Sequence, residues 1–339
     1  MSRLIEGALS AEALKQYWAV RSGLGWRDLS ENSKLEVHGP DRIEFLHAVL
    51  SNDVQSLPDF SGRRGALLTA TGKIVADFDY YRFPDFLLID VGAWAAERLR
   101  TQLEGYIIMD DVTLRDRSED FAHFAFEGPR SPEFLLGLLG GPLPESIHRI
   151  VVVIWRGARI WLVRRNALSD WGFEVMVPAE CQGEFRSAIR EVGAPFGLCD
   201  VGEQALEVLR LERGIPRYGV DYSEKNNPIE IQLTDSYSLT KGCYPGQEVV
   251  ARATHIGGVA RLLVKIRILG RGLPAAGARV FSGEGKEIGR ITSAVHSPLV
   301  EGSIGFAMLR RKAAELGSRN EIEIGEGGRT QGEVVASFL

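Results

Sequence analysis

In the first part of the chain, apolar positions switch between a spacing of three to four and a spacing of two, the periods of helix and strand. Ala13, Leu14 and Trp18 follow Ser10, a residue able to cap the helix they predict. Leu35 to His38 alternates and leads into Gly39-Pro40, after which Asp41 is placed to cap a helix with the stripe Ile43, Leu46 and Leu50. Ala66 to Leu68 and Ile74 to Tyr81 predict two strands joined by the turn Thr71-Gly72-Lys73. Trp94, Leu99 and Leu103 predict the next helix. Ser131 as cap, with Pro132 after it, predicts another over Phe134, Leu135 and Leu138. Ile150 to Trp155 and Ile160 to Val163 predict a second hairpin around Gly157, and Phe173 to Val177 a strand stopped by Pro178. Helical spacing returns at Phe185, Ile189 and Val192, and again at Leu206 and Leu209, ending at Gly214 and Pro216.

The tail is different. Leu262, Val264, Ile266 and Ile268 alternate with Lys265 and Arg267, and short strands follow at Arg279 to Phe281, Ile288 to Ala294, Ile322 to Ile324 and Val334 to Phe338. Glycine-bearing turns separate them, which predicts a small barrel or sandwich. The change falls at His255-Ile256-Gly257-Gly258, so the expected division is 1–255 and 256–339.

Composition narrows the function classes. The 339 residues carry 40 basic and 45 acidic side chains, a net charge of −5, which argues against bulk-charge coating of nucleic acid. No apolar run approaches a membrane span, and Glu6 and Glu12 interrupt the N-terminus, so a cytoplasmic protein is expected. Cys181, Cys199 and Cys243 are odd in number and far apart, which excludes a disulfide framework and a paired zinc site; no metal is expected. Phosphate-cradling and dinucleotide-binding glycine patterns are absent.

Three segments carry chemistry. In Lys241-Gly242-Cys243-Tyr244-Pro245-Gly246-Gln247-Glu248, Cys243 is either a thiol activated by the Lys241 ammonium or a small buried residue beside a turn. In Asp170-Trp171-Gly172-Phe173-Glu174, the acid and the indole either line a pocket or cap a solvated hairpin end. In the strand containing Ala76-Asp77-Phe78-Asp79-Tyr80, Asp77 and Asp79 share one face opposite Phe78 and Tyr80. If that face lines a cavity, one of them is a candidate acid, base or cation stabiliser.

The octapeptide at 241–248 resembles the K-G-C-[FY]-x-G-Q-E signature of the YgfZ family, the folate-binding branch of the glycine-cleavage T-protein superfamily. Gly39-Pro40-Asp41 with Phe45-Leu46, Asn52-Asp53-Val54, Leu209 to Glu212 with Gly214 and Pro216, Pro228-Ile229-Glu230, Gly289 to Ser293 and Gly305 to Ala307 resemble the same superfamily in order along nearly the whole chain. The resemblance implies an α+β fold of two intertwined subdomains around a central cavity, followed by a C-terminal β-barrel. It implies tetrahydrofolate or a one-carbon derivative as cofactor. Asp170 takes the place of the acid that holds the pterin, Trp171 follows it, and Asp77 matches the strand aspartate near the reacting nitrogen, with Asp79 next if the register slips. Tyr244 joins this cofactor-binding set, while Cys243, Lys241 and Asp77 form the catalytic set. Ala76 stands where T-protein has a second acid. The resemblance further implies support of iron–sulfur enzymes, and through them of tRNA modification, with iron–sulfur clients or assembly factors as partners. The alternatives are an aminomethyl or methyl transferase of the T-protein type and a binding module that only senses folate.

Overall fold

The computed structural model describes residues 9–255, 258–270, 272–325 and 327–337. The chain forms two compact units, one of Trp18–Val201 with Thr234–Val249, the other of Met1–Tyr17, Gly202–Leu233 and Val250–Leu339. Strands and helices are numbered along the chain.

The first unit holds two sheets. One runs, in spatial order, Cys199–Asp200 (β11), Gly25–Asp28 (β1), Phe121–Glu127 (β7), Phe173–Pro178 (β10), Ala158–Arg164 (β9) and Ile150–Trp155 (β8). The other runs Ser61–Leu68 (β3), Ile74–Arg82 (β4), Leu87–Val91 (β5), Ser33–His38 (β2) and Thr113–Asp116 (β6). The hairpins β3–β4 and β8–β9 pair antiparallel, as the alternating patterns around Gly72 and Gly157 predict.

The two-residue period sorts every central strand of this unit onto two faces. Val37, Phe78, Tyr80, Leu87 and Ile89 pack under Arg42–Val49 (α2) and Ala93–Tyr106 (α3), through Phe45, Leu46, Leu99 and Leu103. Phe124, Phe126, Leu162, Phe173 and Val175 pack under Ser131–Leu139 (α4) and Gln182–Gly193 (α5), through Phe134, Leu135, Phe185 and Ile189. The opposite faces of the two sheets meet at Tyr81, Leu88, Ile150, Val163 and Met176. On these inner faces the same alternation places Lys34, Asp79, Asp90, His123 and Glu174, all buried.

Two predicted caps are corrected. Asp41 occupies the N-cap position of α2, but its side chain makes no cap hydrogen bond; its Oδ2 accepts from the Asp111 N–H at 2.8 Å instead. Ser131 lies inside α4, whose N-cap is Arg130. By contrast Ser10 Oγ accepts from the Ala13 N–H at 3.1 Å and caps Ala11–Ser22 (α1).

The second unit contains a closed barrel of Arg261–Ile268 (β12), Gly302–Arg310 (β15), Glu287–Ser297 (β14), Arg279–Phe281 (β13), Arg319–Ile324 (β16) and Gly328–Val335 (β17). Its centre is filled by Val264, Ile266, Ile291, Leu309 and Ile322. Closure leaves no unpaired edge. Glu203–Glu212 (α6) packs on β14 and β15, where Arg210 meets Asp221 at 2.7 Å and Ser297 Oγ donates to Glu212 at 2.5 Å. Gln247–His255 (α7) follows the cysteine turn. The predicted last strand begins earlier, at Gly328, and Phe338 lies outside the described residues, as do Ile256 and Gly257 of the predicted boundary. Mixed α/β layers followed by a barrel match the α+β expectation. No described helix is long and apolar enough to cross a membrane.

Candidate functional site

The cysteine turn is held by its neighbours on both sides. Gly242 and Gly246 have φ of 102° and 80°, conformations that side chains with a Cβ rarely adopt. At Gly246 a Cβ would lie 2.5 Å from the Thr69 carbonyl oxygen and 2.8 Å from the Gly72 Cα, so the turn sits directly on the tip of the β3–β4 hairpin. Gly72, with φ of 73°, is the facing glycine, and a Cβ there would meet Val249 at 2.9 Å. Cys243 is exposed, which removes the reading of it as a small buried residue; Cys199 is buried and Cys181 half-buried. Lys241 is bound to α2: its Nζ donates to the His47 carbonyl, and His47 Nε2 lies 3.0 Å from the Lys241 carbonyl oxygen. Burial lowers the Lys241 ammonium to about 8, against the opposing pull of Asp53 and of Cys243. Tyr244 is buried with its ring 4.9 Å from Lys241 Nζ, and its hydroxyl, pushed up to about 12 by burial, reaches the Ser238 carbonyl at 3.4 Å. Tyr244 thus braces the turn. Under native conditions an alkylating reagent is expected to modify Cys243 before Cys181 and Cys199, the order of their exposure; mass spectrometry of the labelled peptides checks it.

The predicted strand acid Asp77 lies on β4 against Arg64 of β3, 2.7 Å from its guanidinium. Arg64 also has Asp235 at 3.7 Å, on the segment leading to the cysteine turn. Asn52 ties the same region together by donating to the Arg64 carbonyl at 2.9 Å and the Asp235 carbonyl at 2.8 Å. Asp53 beside it faces His47 at 3.2 Å, and Ser51 Oγ donates to the Ser236 carbonyl at 2.6 Å. Asp77, Arg64, Asp235, His47 and Lys241 therefore belong to one neighbourhood of charged groups.

Asp79, two residues on, is fully engaged between the sheets. It lies 2.6 Å from Arg165 and 3.1 Å from His148 Nε2. Burial opposes its charge, but Arg165 and the His148 contact outweigh burial and hold its pKa well below the usual carboxylate range. Arg165 continues to Glu174 at 3.7 Å, Glu174 to His123 at 3.3 Å, His123 to Asp90 at 3.8 Å, and Asp90 to Lys34 at 3.1 Å. Asp90, His123 and Glu174 bring ligand-type atoms within 4.8 Å of one another. Each of those carboxylates already faces a cation, Lys34 or Arg165, so a divalent ion would enter beside fixed positive charge. The arrangement fits an ion-pair chain joining two sheets, with the His123 ring between two carboxylates, better than a metal centre. None of its histidines or of Lys34, Asp90 and Arg165 was singled out by sequence, because only long-range strand pairing brings them together.

Asp170 and Trp171 lie on the β9–β10 connection, both exposed. Arg164 places its guanidinium 5.5 Å from the Trp171 ring and donates to the Asp170 carbonyl at 3.2 Å. An exposed carboxylate next to an aromatic face suits a flat heterocycle with adjacent N–H donors, and it suits a solvated hairpin end equally. Behind this connection lies a residue that sequence reasoning missed. Glu127, the last of β7, is buried, and its carboxylate accepts from residues 168 and 169.

Comparison with known proteins covers both units. The family described as the GCVT N-terminal domain matches residues 7–241, and the glycine cleavage T-protein C-terminal barrel domain matches residues 261–339. A protein of Shouchella clausii named aminomethyltransferase is 31% identical over 329 residues, covering 95% of this chain and 88% of its own. One of Chloroherpeton thalassium with the same name is 30% identical over 315 residues, covering 92% and 86%. The crystal structure of the glycine cleavage system aminomethyltransferase T from Bartonella henselae superposes with a TM-score of 0.87 at 23% identity, over 96% of this chain and 89% of that one, a likeness of fold. With both domain families matched in order and relatives aligned over nearly their full length, this chain belongs to the glycine-cleavage T-protein family.

Proposed function

We propose that the chain binds tetrahydrofolate and transfers a one-carbon unit to or from it in the manner of a T-type aminomethyltransferase. The observation that carries this reading is the charge placement on β4: Asp77 stands beside Arg64 in a chain aligned with aminomethyltransferases over more than nine-tenths of its length. An ionised strand carboxylate is suited to stabilise positive charge developing on a folate nitrogen, or to accept its proton. Asp170 would accept from the amino group and ring N–H of the pterin, with Trp171 against the ring. Calorimetric titration of tetrahydrofolate tests the binding: Asp170→Ala is expected to weaken it by roughly 10-fold, the loss of charge-assisted hydrogen bonds. Equal affinity in the variant would remove Asp170 from the site. Formation of methylene-tetrahydrofolate in a reconstituted glycine-cleavage mixture tests the transfer, and no product at high enzyme concentration rejects it.

A second reading is favoured by the exposed thiol of Cys243 beside Lys241, for which the transferase reading has no use. In it the chain is a YgfZ-type folate protein of the cytoplasm that supports iron–sulfur enzymes, and indirectly tRNA modification, through contact with client proteins or assembly factors. The names of the aligned relatives support the transferase reading better. Deletion strains decide between them: loss of iron–sulfur enzyme activity under oxidative growth, restored by the wild type and not by Cys243→Ala, supports the second. Full complementation by Cys243→Ala argues against a thiol mechanism.

A further inference from the structure

The connection that carries Asp170 and Trp171 is moulded on one buried carboxylate. Glu127 accepts from the Leu168 N–H at 3.1 Å, the Ser169 N–H at 3.1 Å and the Ser169 hydroxyl at 2.7 Å. Ser169 Oγ in turn accepts from the Gly128 N–H at 3.0 Å and the Trp171 N–H at 3.2 Å. A hydroxyl oxygen has two acceptor sites, and both are used, so its proton is directed at Glu127. At Gly172 a Cβ would lie 1.9 Å from the Arg165 carbonyl oxygen and 2.7 Å from Glu127 Oε2; the backbone passes too close for any side chain.

The geometry points to ionised Glu127 as the positioning residue of this connection, holding residues 168–172 in the shape that presents Asp170 and Trp171. This rests on the reading of those two residues as folate contacts. The reason is complementarity. A carboxylate only accepts hydrogen bonds, and the three groups of the connection that face it all donate. A neutral carboxylic acid would turn one accepting oxygen into a donor facing groups that already donate.

The charge state of Glu127 is poised to change. Burial pushes its pKa up to about 7, with Glu174 of β10 adding to the push; Arg27 of β1, the Ser169 hydroxyl and the Leu168 N–H pull the other way. Docking of the connection brings the carboxylate both the donors that favour its charge and the burial that opposes it, so the donors hold an ion that burial alone would neutralise.

The test combines calorimetry with tetrahydrofolate at about pH 8 with amide exchange at residues 168, 169 and 171, in the wild type and Glu127→Gln. In Glu127→Gln the amide NH2 group opposes a donor, so protection at those three amides is expected to fall while that of β7 and β10 is kept, and affinity to drop by roughly 10-fold. Wild-type protection at the three amides in Glu127→Gln overturns the proposal. If Glu127→Gln does not fold, Ser169→Ala serves: it removes one donor to the carboxylate and the acceptor of the Trp171 N–H, so protection at 171 should fall, and unchanged protection there overturns the proposal. If the three amides lose protection in Glu127→Gln, yet the wild type binds no tetrahydrofolate, Glu127 keeps its role and the folate reading falls.

Discussion

Arg165→Leu is expected to lower the unfolding free energy by about 3–5 kcal/mol, the usual cost of leaving buried charges without their partner. Its guanidinium lies 2.6 Å from Asp79 and 3.7 Å from Glu174, both buried between the two sheets. Removing it leaves two buried carboxylates facing, among the described residues, only His148 and His123. A shift of the urea midpoint measures the effect. Adding Asp79→Asn should recover part of the loss, because the larger share of the penalty is uncompensated charge and not lost packing; no recovery would assign the loss to packing. The acid limb gives an independent check. Burial works against the charge on Asp79 and Glu174, but Arg165 with His148 for the first, and His123 with Arg165 for the second, hold both below their ordinary values. Folded pKa values below the unfolded ones contribute stability that is complete above about pH 5 and is lost as pH falls toward the folded values. That acid-induced loss should be shallower in Arg165→Leu than in the wild type.

The second large effect concerns β4. On the transferase reading, Asp77→Asn is expected to reduce the rate of one-carbon transfer by roughly 10²–10⁴-fold, the range for removing a positioned acid–base or charge-stabilising group. Tetrahydrofolate affinity should change little. The fold should survive, since Arg64 retains Asp235 at 3.7 Å. Asp79→Asn should show the reverse pattern, a stability loss with the rate per folded molecule largely kept, because Asp79 is committed to Arg165 and His148. Single-turnover measurements on both variants separate the two roles. A fully active Asp77→Asn would end the case for Asp77.

Much of the molecule is legible from period alone. The hairpins around Gly72 and Gly157, the helix after Ser10, the stripe of Phe134, Leu135 and Leu138 in α4 and the barrel strands all announce themselves locally. β5 and β7 do not. Leu-Leu-Ile-Asp-Val is an almost unbroken apolar run, and Phe-Ala-His-Phe-Ala-Phe-Glu lies between core and interface with apolar residues on both faces. A strand buried on both sides loses the alternation that marks it. The ion-pair chain is hidden for the same reason, since Asp90, His123 and Glu174 lie on three different strands whose adjacency is a property of the finished sheets. Asp41 shows a different limit. Its sequence position is right for a helix cap, yet the Asp111 N–H takes its oxygen, a competition no local rule can see.

The resemblance at 241–248 located a neighbourhood, not a mechanism. It brought Cys243, Lys241 and Tyr244 into view together, and the structure distinguishes an exposed thiol from a buried brace within the same octapeptide. Asp170 and Trp171 were visible as chemistry-bearing residues, whereas Glu127, which shapes their backbone, has no local mark at all. A buried acid at a strand end reads as any other strand terminus until its donors are seen.

Gly72 and Gly246 touch across the hairpin tip, each in a backbone conformation that excludes most other residues. The two positions therefore form a single lock with two keyholes. Enlarging either one would lift the thiol-bearing turn off the strand pair that carries Asp77, so the spatial relation between sulfur and carboxylate hangs on the absence of two methyl groups.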